Sequence, residues 1–340
     1  MSVRVGINGF GRVGRCAFRS AFESGAAVDW VGINDVADVA TLAHLLRHDS
    51  VYGPFPGTVE VEGSALVVDG VEIPVTALGD PGELPWAAAE VEVALECTGR
   101  FRSRADAARH LAAGACKVII SAPGKDADVT IVRGVNESTY DPDEHDVISN
   151  ASCTTNCLAP VAMVLNDAFG IKHGTMTTIH AYTGDQRLVD LPHKDLRRAR
   201  AGAINIVPTS TGAAKALRLV IPELAGKVHG VAARVPVPTG SLIDLTVELE
   251  TVTTAPAVIA AFAERADRGE LEGILQLSFE PLVSSDVIKS PYSAVVDAEL
   301  TTVVAGTQVK VVAWYDNEWA YSTRLVELAQ RVVLPVAAPA

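Results

Sequence analysis

Val3-Arg4-Val5-Gly6-Ile7-Asn8-Gly9-Phe10-Gly11-Arg12-Val13-Gly14-Arg15 decides the fold. Its apolar start, Val3 to Ile7, reads as a buried strand, the glycines as a tight turn, and the residues toward Ser24 as a helix. A second apolar run, Val28 to Ile33, ends at Asn34-Asp35 and completes a strand, helix, strand unit with a right-handed crossover. Gly9, Gly11 and Gly14 form G-x-G-x-x-G directly after a strand and at a helix start, the context in which that pattern carries a mechanism. Gly9 permits the turn, Gly11 lets a pyrophosphate approach the backbone, and Gly14 lets helix and strand pack closely. The free N–H groups of the helix start attract phosphate. The glycines alone also fit an ordinary turn. Asp35 weighs against that reading, because an acid about 20 residues on is placed to bind ribose hydroxyls and to repel a 2′-phosphate. NAD is therefore favoured over NADP.

Working outward, Thr58 to Ala77 alternates apolar and polar residues around Asp69-Gly70, as an antiparallel hairpin does. A strand over Val91 to Cys97, a helix from Ser103 to Ala113 stopped by Gly114, and a strand at Lys117 to Ser121 follow. This alternation predicts an α/β chain with a Rossmann-type, mostly parallel sheet domain carrying helices on both faces. After Ser149-Asn150 the texture changes. A helix from Cys153 to about Phe169 closes at Gly170, a strand runs through Thr175 to Ala181, and Ser241 to Glu250 and Thr307 to Trp314 alternate like antiparallel strands. With a helix over Ala255 to Arg268, these make an α+β catalytic domain with a mostly antiparallel sheet. The expected division is an NAD-binding domain over 1–151, completed by a C-terminal helix over 317–335, and a catalytic domain over 152–316. Ala320 to Val333 has the amphipathic pattern of that helix, and the Ala/Pro-rich tail reads as frayed.

With 340 residues, 49% of them hydrophobic, the chain is long enough for two cores. Its 28 basic against 41 acidic side chains give a net charge of -13, which repels nucleic acid and anionic lipid. Arg197, Arg198 and Arg200 are the densest basic cluster and too short to reverse that. Met1 to Gly11 lacks the layout of a signal peptide, and no apolar run spans a bilayer. Five cysteines, an odd number, argue against a disulfide framework and for a cytoplasmic location.

Each thiol is then read singly. Cys153 lies at a helix start, with Asn150 or Ser152 as the cap, where the dipole and free N–H groups favour thiolate. His180, at the end of the next strand, fits either of two readings: the base beside that nucleophile, or a core histidine satisfied by backbone hydrogen bonds. Cys157, one turn on, suggests a metal pair or a resolving thiol, though the spacing is not C-x-x-C and no metal is expected. Cys16, Cys97 and Cys116 read as small packed residues. Anion-binding candidates complete the set. Thr183 and Asp185 follow His180, Arg197 lies in a basic turn, Thr211 and Gly212 open a helix, and Arg234, within an apolar strand, needs an anion if buried.

The stretches G-I-N-G-F-G-R-V-G-R, S-N-A-S-C-T-T-N-C-L-A-P, D-L-P-H-K-D-L-R-R-A-R, P-T-S-T-G-A-A-K-A and V-V-A-W-Y-D-N-E-W-A-Y-S resemble glyceraldehyde-3-phosphate dehydrogenases, from about Val3 to Ala329. The resemblance implies that Cys153 attacks the aldehyde of glyceraldehyde 3-phosphate, that His180 takes the hydroxyl proton as hydride passes to NAD, and that inorganic phosphate releases the thioester. It implies phosphate contacts from Ser152, Thr154, Thr183, Arg197, Thr211, Gly212 and Arg234. Cofactor contacts would come from Phe10, Gly11, Arg12, Asp35, Ser121 and Asn317. It also implies a homotetramer, with Tyr182 to Ala203 at a subunit interface and Leu191-Pro192 in the NAD-preferring form of a loop reaching a neighbouring subunit's cofactor site. The pattern departs from the family at Gly79, where members commonly carry a basic residue, and at Trp319-Ala320, where many have Thr-Gly. Two rivals share the thiol: an erythrose-4-phosphate dehydrogenase, which hydrolyses its thioester, and a redox-sensing scaffold without turnover.

Overall fold

The computed structural model describes residues 2–333, so the tail and the last residues of the helix expected over 317–335 lie outside the described residues. The chain divides into two compact units, the first taking residues 2–131, 138–151 and 322–333, the second 132–137 and 152–321. Two short segments thus fall differently from the expected division: 132–137 and 317–321 belong with the second unit.

In the first unit the chain runs β1 (Val3–Asn8), α1 (Arg12–Ser24), β2 (Val28–Asn34), α2 (Val39–Arg47), β3 (His48–Asp49), β4 (Gly53–Pro54), β5 (Val59–Glu62), β6 (Ala65–Val68), β7 (Val71–Thr76), β8 (Val93–Glu96), α3 (Arg104–Ala107), α4 (Arg109–Ala112), β9 (Lys117–Ile120), β10 (Val129–Thr130) and β11 (Val147–Ser149). Its nine-stranded sheet has the order β10-β11-β9-β8-β1-β2-β7-β6-β5. Strands β10 through β7 of that order pair in parallel, and β7-β6-β5 antiparallel. The hairpin expected at Thr58 to Ala77 is therefore a three-stranded meander: Gly63 makes a turn as Asp69-Gly70 does, both at positive φ. The expected helix Ser103 to Ala113 is two short pieces, capped by the Ser103 side chain and closed by Gly114 at φ +106. Val5, Ile7, Val93 and Leu95 are buried in one core with Ala17, Phe18 and Ala21 of α1, and Leu325, Leu328 and Val332 near the chain's end join the same core.

The second unit contains α5 (Cys153–Phe169), β12 (Ile171–Ala181), β13 (Val207–Ser210), α6 (Ala213–Val220), β14 (Val228–Val235), β15 (Ser241–Leu249), α7 (Ala255–Asp267), β16 (Leu275–Ser278), β17 (Ala294–Val304), β18 (Gln308–Tyr315) and the start of α8 (Trp319–Arg331). Its seven strands lie in the order β13-β14-β12-β15-β18-β17-β16, antiparallel except for β12 with β14 and β16 with β17. β15 buries every second residue, as a sheet covered on one face must. Register places His180 opposite Arg234 on neighbouring parallel strands. The helix predicted from Cys153 begins and ends at the expected residues, with Ser152 rather than Asn150 as its cap: the Ser152 hydroxyl accepts from the Thr155 N–H at 3.1 Å.

Candidate functional site

In the first unit, the turn after β1 has no room for side chains at Gly9 and Gly14. A Cβ at Gly14 would lie 2.3 Å from the Gly9 carbonyl oxygen, and one at Gly9, held at φ +95, would lie 2.7 Å from the Thr98 nitrogen. At Gly11 a Cβ would meet nothing, and this open side belongs to a pocket lined by Gly9, Gly11, Asp35, Leu78, Thr98 and Phe101, among others. Asp35 is oriented by that turn: one carboxylate oxygen accepts from the Phe10 N–H at 2.8 Å, the other from the Ala37 N–H at 3.0 Å. Each oxygen keeps a lone pair for a ribose hydroxyl. The residues present therefore fit a dinucleotide. Phe10 itself is buried against Phe18, so only its backbone faces the turn, and the Arg12 guanidinium is paired with Asp49 and lies over Tyr52. Ser121 hydrogen-bonds Cys97, whose thiol burial pushes up to about 12 against that bond, with the Glu96 charge adding. Cys97 and the buried Cys16 are packed residues as expected, but Cys116 is exposed.

In the second unit, the Cys153 sulfur lies 3.5 Å from His180 Nε2. The His180 Nδ1 sits between the Ala181 carbonyl oxygen at 2.7 Å, which can only accept, and Arg234 Nη1 at 3.0 Å, which can only donate. The two Nη1 hydrogens have acceptors in the Ala181 carbonyl and Thr183 Oγ1, so the shorter contact takes precedence, Nδ1 carries the proton and Nε2 presents its lone pair to sulfur. Arg234 Nη1 shares that carbonyl at 3.0 Å and donates to Thr183 Oγ1 at 3.3 Å. Its Nε is buried with no hydrogen-bond partner, the mark of a guanidinium awaiting an anion. Behind the pair, the fully buried Tyr315 hydroxyl bridges Thr154 Oγ1 at 2.9 Å and Thr178 Oγ1 at 3.0 Å, with its ring edge-on to His180. The Thr154 hydroxyl is thus turned inward.

Electrostatics correct one expectation. Burial pushes the Cys153 thiol up, and the Arg234 charge and the Thr154 hydrogen bonds only oppose it. The helix start alone does not make a thiolate. Burial, and after it the Arg234 charge, hold His180 down at about 3, against the Ala181 bond. Thiol and imidazole therefore rest as a neutral pair, with the base ready to take a proton and Cys153 itself only half-buried. Unfolded, this histidine takes a proton near pH 6.5; folded, it does not until about 3, so its contribution is complete above 6.5 and is lost as pH falls through that window. His180→Asn should remove about 2 kcal/mol of the acid sensitivity between pH 7 and 5. Urea midpoints of both proteins at the two pH values measure it, and an equal drop in both would place the sensitivity elsewhere.

Of the anion candidates, Arg197 is exposed and lines a groove with Leu196, Pro208 and Val231. The structure brings its neighbour Arg198 to the site instead. That guanidinium pairs with Asp185, donates to Thr209 Oγ1 at 3.0 Å, and its charge acts on both His180 and Arg234. Adjacent arginines are indistinguishable in a sequence, and only the fold of the turn selects one. Thr211 and Gly212 stand at the start of α6, where Thr211 Oγ1 accepts from the Ala213 N–H. Asn317 is buried, its carbonyl oxygen accepting from Ser241 at 2.7 Å. Cys157 is buried away from solvent, burial and then Cys153 pushing its thiol far up, and no metal-binding cluster exists among the described residues.

A pocket that fits a dinucleotide and a nucleophile beside a base are the equipment for oxidising a substrate held on sulfur, which is the chemistry of a nicotinamide-dependent aldehyde dehydrogenase. Family models narrow the class: the glyceraldehyde 3-phosphate dehydrogenase NAD binding domain matches residues 3–104, and the C-terminal domain of the same family matches residues 152–317. Glyceraldehyde-3-phosphate dehydrogenase 1 of Bacillus subtilis is 58% identical over 329 residues, covering 97% of this chain and 98% of its own. The Geobacillus stearothermophilus enzyme of that name is 57% identical over 97% of this chain and 98% of its own, and that of Streptomyces coelicolor 55% over 96% and 98%. The chain belongs to the glyceraldehyde-3-phosphate dehydrogenase family.

Proposed function

We propose that the chain oxidises glyceraldehyde 3-phosphate to 1,3-bisphosphoglycerate with NAD and inorganic phosphate, a step of glycolysis and gluconeogenesis. The observation that carries this reading is the His180 lone pair facing the Cys153 sulfur, with its tautomer set by Ala181. His180 takes the thiol proton as sulfur attacks the aldehyde carbon and passes it to the carbonyl oxygen, giving a hemithioacetal on Cys153. NAD, when bound, would supply the hydride acceptor, and His180 takes the hydroxyl proton as the thioester forms. A phosphate oxygen then attacks the thioester carbon and loses its proton to solvent, and the departing Cys153 thiolate takes back the proton that His180 holds, which restores the neutral pair.

Gly9, Phe10, Gly11, Arg12, Gly14 and Asp35 form the pyrophosphate and ribose side of the cofactor site, and Ser121 and Asn317 are its further contacts. Arg234 and Thr183, hydrogen-bonded to each other, form one anion site. Arg198 joins them in place of Arg197, and Ser152, the backbone of Thr154 and the Thr211-Gly212 helix start supply the remaining phosphate donors. Assayed with glyceraldehyde 3-phosphate, cofactor reduction should rise about tenfold or more from phosphate-free buffer to saturating phosphate. A rate indifferent to phosphate would favour hydrolysis of the thioester, as in an erythrose-4-phosphate dehydrogenase.

The assembly in this reading is a homotetramer. Leu188, Val189, Leu191, Leu196, Ile204 and Ile206 expose apolar side chains within one stretch of the second unit, more than a lone subunit leaves to water. No helix among the described residues is long and apolar enough to cross a membrane. Five unbridged thiols fit the reducing cytoplasm, where we place the protein.

A further inference from the structure

Five buried polar side chains that take no part in the thiol chemistry form one continuous hydrogen-bonded chain in the first unit, at the carboxyl ends of β8, β1 and β2. Trp86 Nε1 lies 2.9 Å from His110 Nδ1. An indole nitrogen only donates, so Nδ1 accepts, the ring proton sits on Nε2, and Nε2 donates to Glu96 Oε2 at 3.1 Å. The same oxygen accepts from Asn8 Nδ2 at 2.6 Å, and Asn8 Oδ1 accepts from Asn34 Nδ2 at 2.8 Å. Asn34 grips Leu78 through both backbone groups, at 3.0 and 2.9 Å. On the other side, Glu96 Oε1 accepts from the Thr98 N–H at 2.8 Å and from the Thr98 hydroxyl. Every link therefore has one direction, fixed from the Trp86 end.

The chain finishes on Leu78 and Thr98, which line the same pocket as Gly9, Gly11 and Asp35. Glu96 and His110 are each no more than 1% exposed, and the carboxylate is met by four donors and no arginine or lysine. An apolar filling would avoid the cost of desolvating these groups, so stability does not explain them; a fixed spacing of the pocket walls does. We infer that Glu96 and His110 are positioning residues for the adenosine half of NAD, holding Thr98 and Leu78 on either side of it. The inference rests on the cofactor reading of that pocket.

ADP-ribose, which lacks the nicotinamide, is the probe. In Glu96→Gln the new amide must point a donor at Asn8 and His110 or, turned over, at Thr98. Its dissociation constant for ADP-ribose and its KM for NAD should both rise about tenfold. kcat at saturating NAD should stay within about twofold and Cys153 alkylation should be unchanged, because the defect is one of cofactor binding. His110→Leu should raise both binding constants about fivefold, and His110→Gln, whose amide can accept from Trp86 and donate to Glu96, should return them to within about twofold of the parent. That His110 pair decides the matter should Glu96→Gln not fold. Lower thermal stability with unchanged ADP-ribose binding in Glu96→Gln and His110→Leu would overturn the inference, since a merely structural network predicts that result. A parent protein that failed to bind ADP-ribose would instead sink the cofactor reading beneath it.

Discussion

Cys153→Ser should lower aldehyde oxidation by about 10⁴-fold or more while leaving the dissociation constant for NAD within about twofold. The substitution replaces one atom, and α5 keeps its cap because Ser152, not residue 153, accepts the Thr155 N–H. What changes is the acidity asked of the site. Burial already holds the thiol up, and His180, down at about 3, is a weak base. Such a base can draw a proton from sulfur as it attacks, but not from an alcohol several units less acidic. The oxygen also makes a poorer leaving group when phosphate attacks the acyl intermediate. The glycine turn and Asp35 are untouched, so calorimetry should find NAD bound as before. Turnover surviving in this variant would contradict the covalent path, and loss of NAD binding would show that the substitution had damaged more than the nucleophile.

The fold was legible where pattern and chemistry agree. Strand, G-x-G-x-x-G and helix at Val3 to Ser24 are specified by alternation of apolar residues and by two glycines for which nothing larger fits, so the first crossover could be read without coordinates. The sequence pattern shows one hairpin where the structure has a meander, because Gly63-Ser64 is a weaker turn cue than Asp69-Gly70. The break at Ala108 is silent, since alanine favours continuing a helix. At the site, Cys153 announced itself through its position at a helix start. Arg198 and Tyr315 did not: one is a single residue from another arginine, and the other looks like any aromatic on an alternating strand. Their roles arise from side-chain directions that only the packed sheet and turn determine. The thiol's acidity is hidden from the sequence for the same reason, because burial depends on everything around the sulfur and outweighs the helix start.

His180→Asn should lower kcat by about 10²- to 10⁴-fold, the range for removal of a general base, and should alter the pH dependence of thiol reactivity. Asparagine can still donate to the Ala181 carbonyl, so the local backbone keeps its partner, but the lone pair opposite sulfur at 3.5 Å is gone. In the parent protein Nε2 is unprotonated at every pH above about 3, so alkylation of Cys153 by iodoacetamide proceeds at neutral pH with the imidazole taking the thiol proton. The variant must react through free thiolate instead. Its rate should be depressed at pH 7 and climb with pH toward the raised range in which burial places the thiol. Arg234 remains and lowers that range somewhat, so the variant is slowed and not silenced. A pH 7 alkylation rate equal to the parent's would remove His180 from thiol activation and return it to the reading of a satisfied core histidine. A slowed rate with the same pH profile would point to a blocked approach to sulfur and not to a missing base.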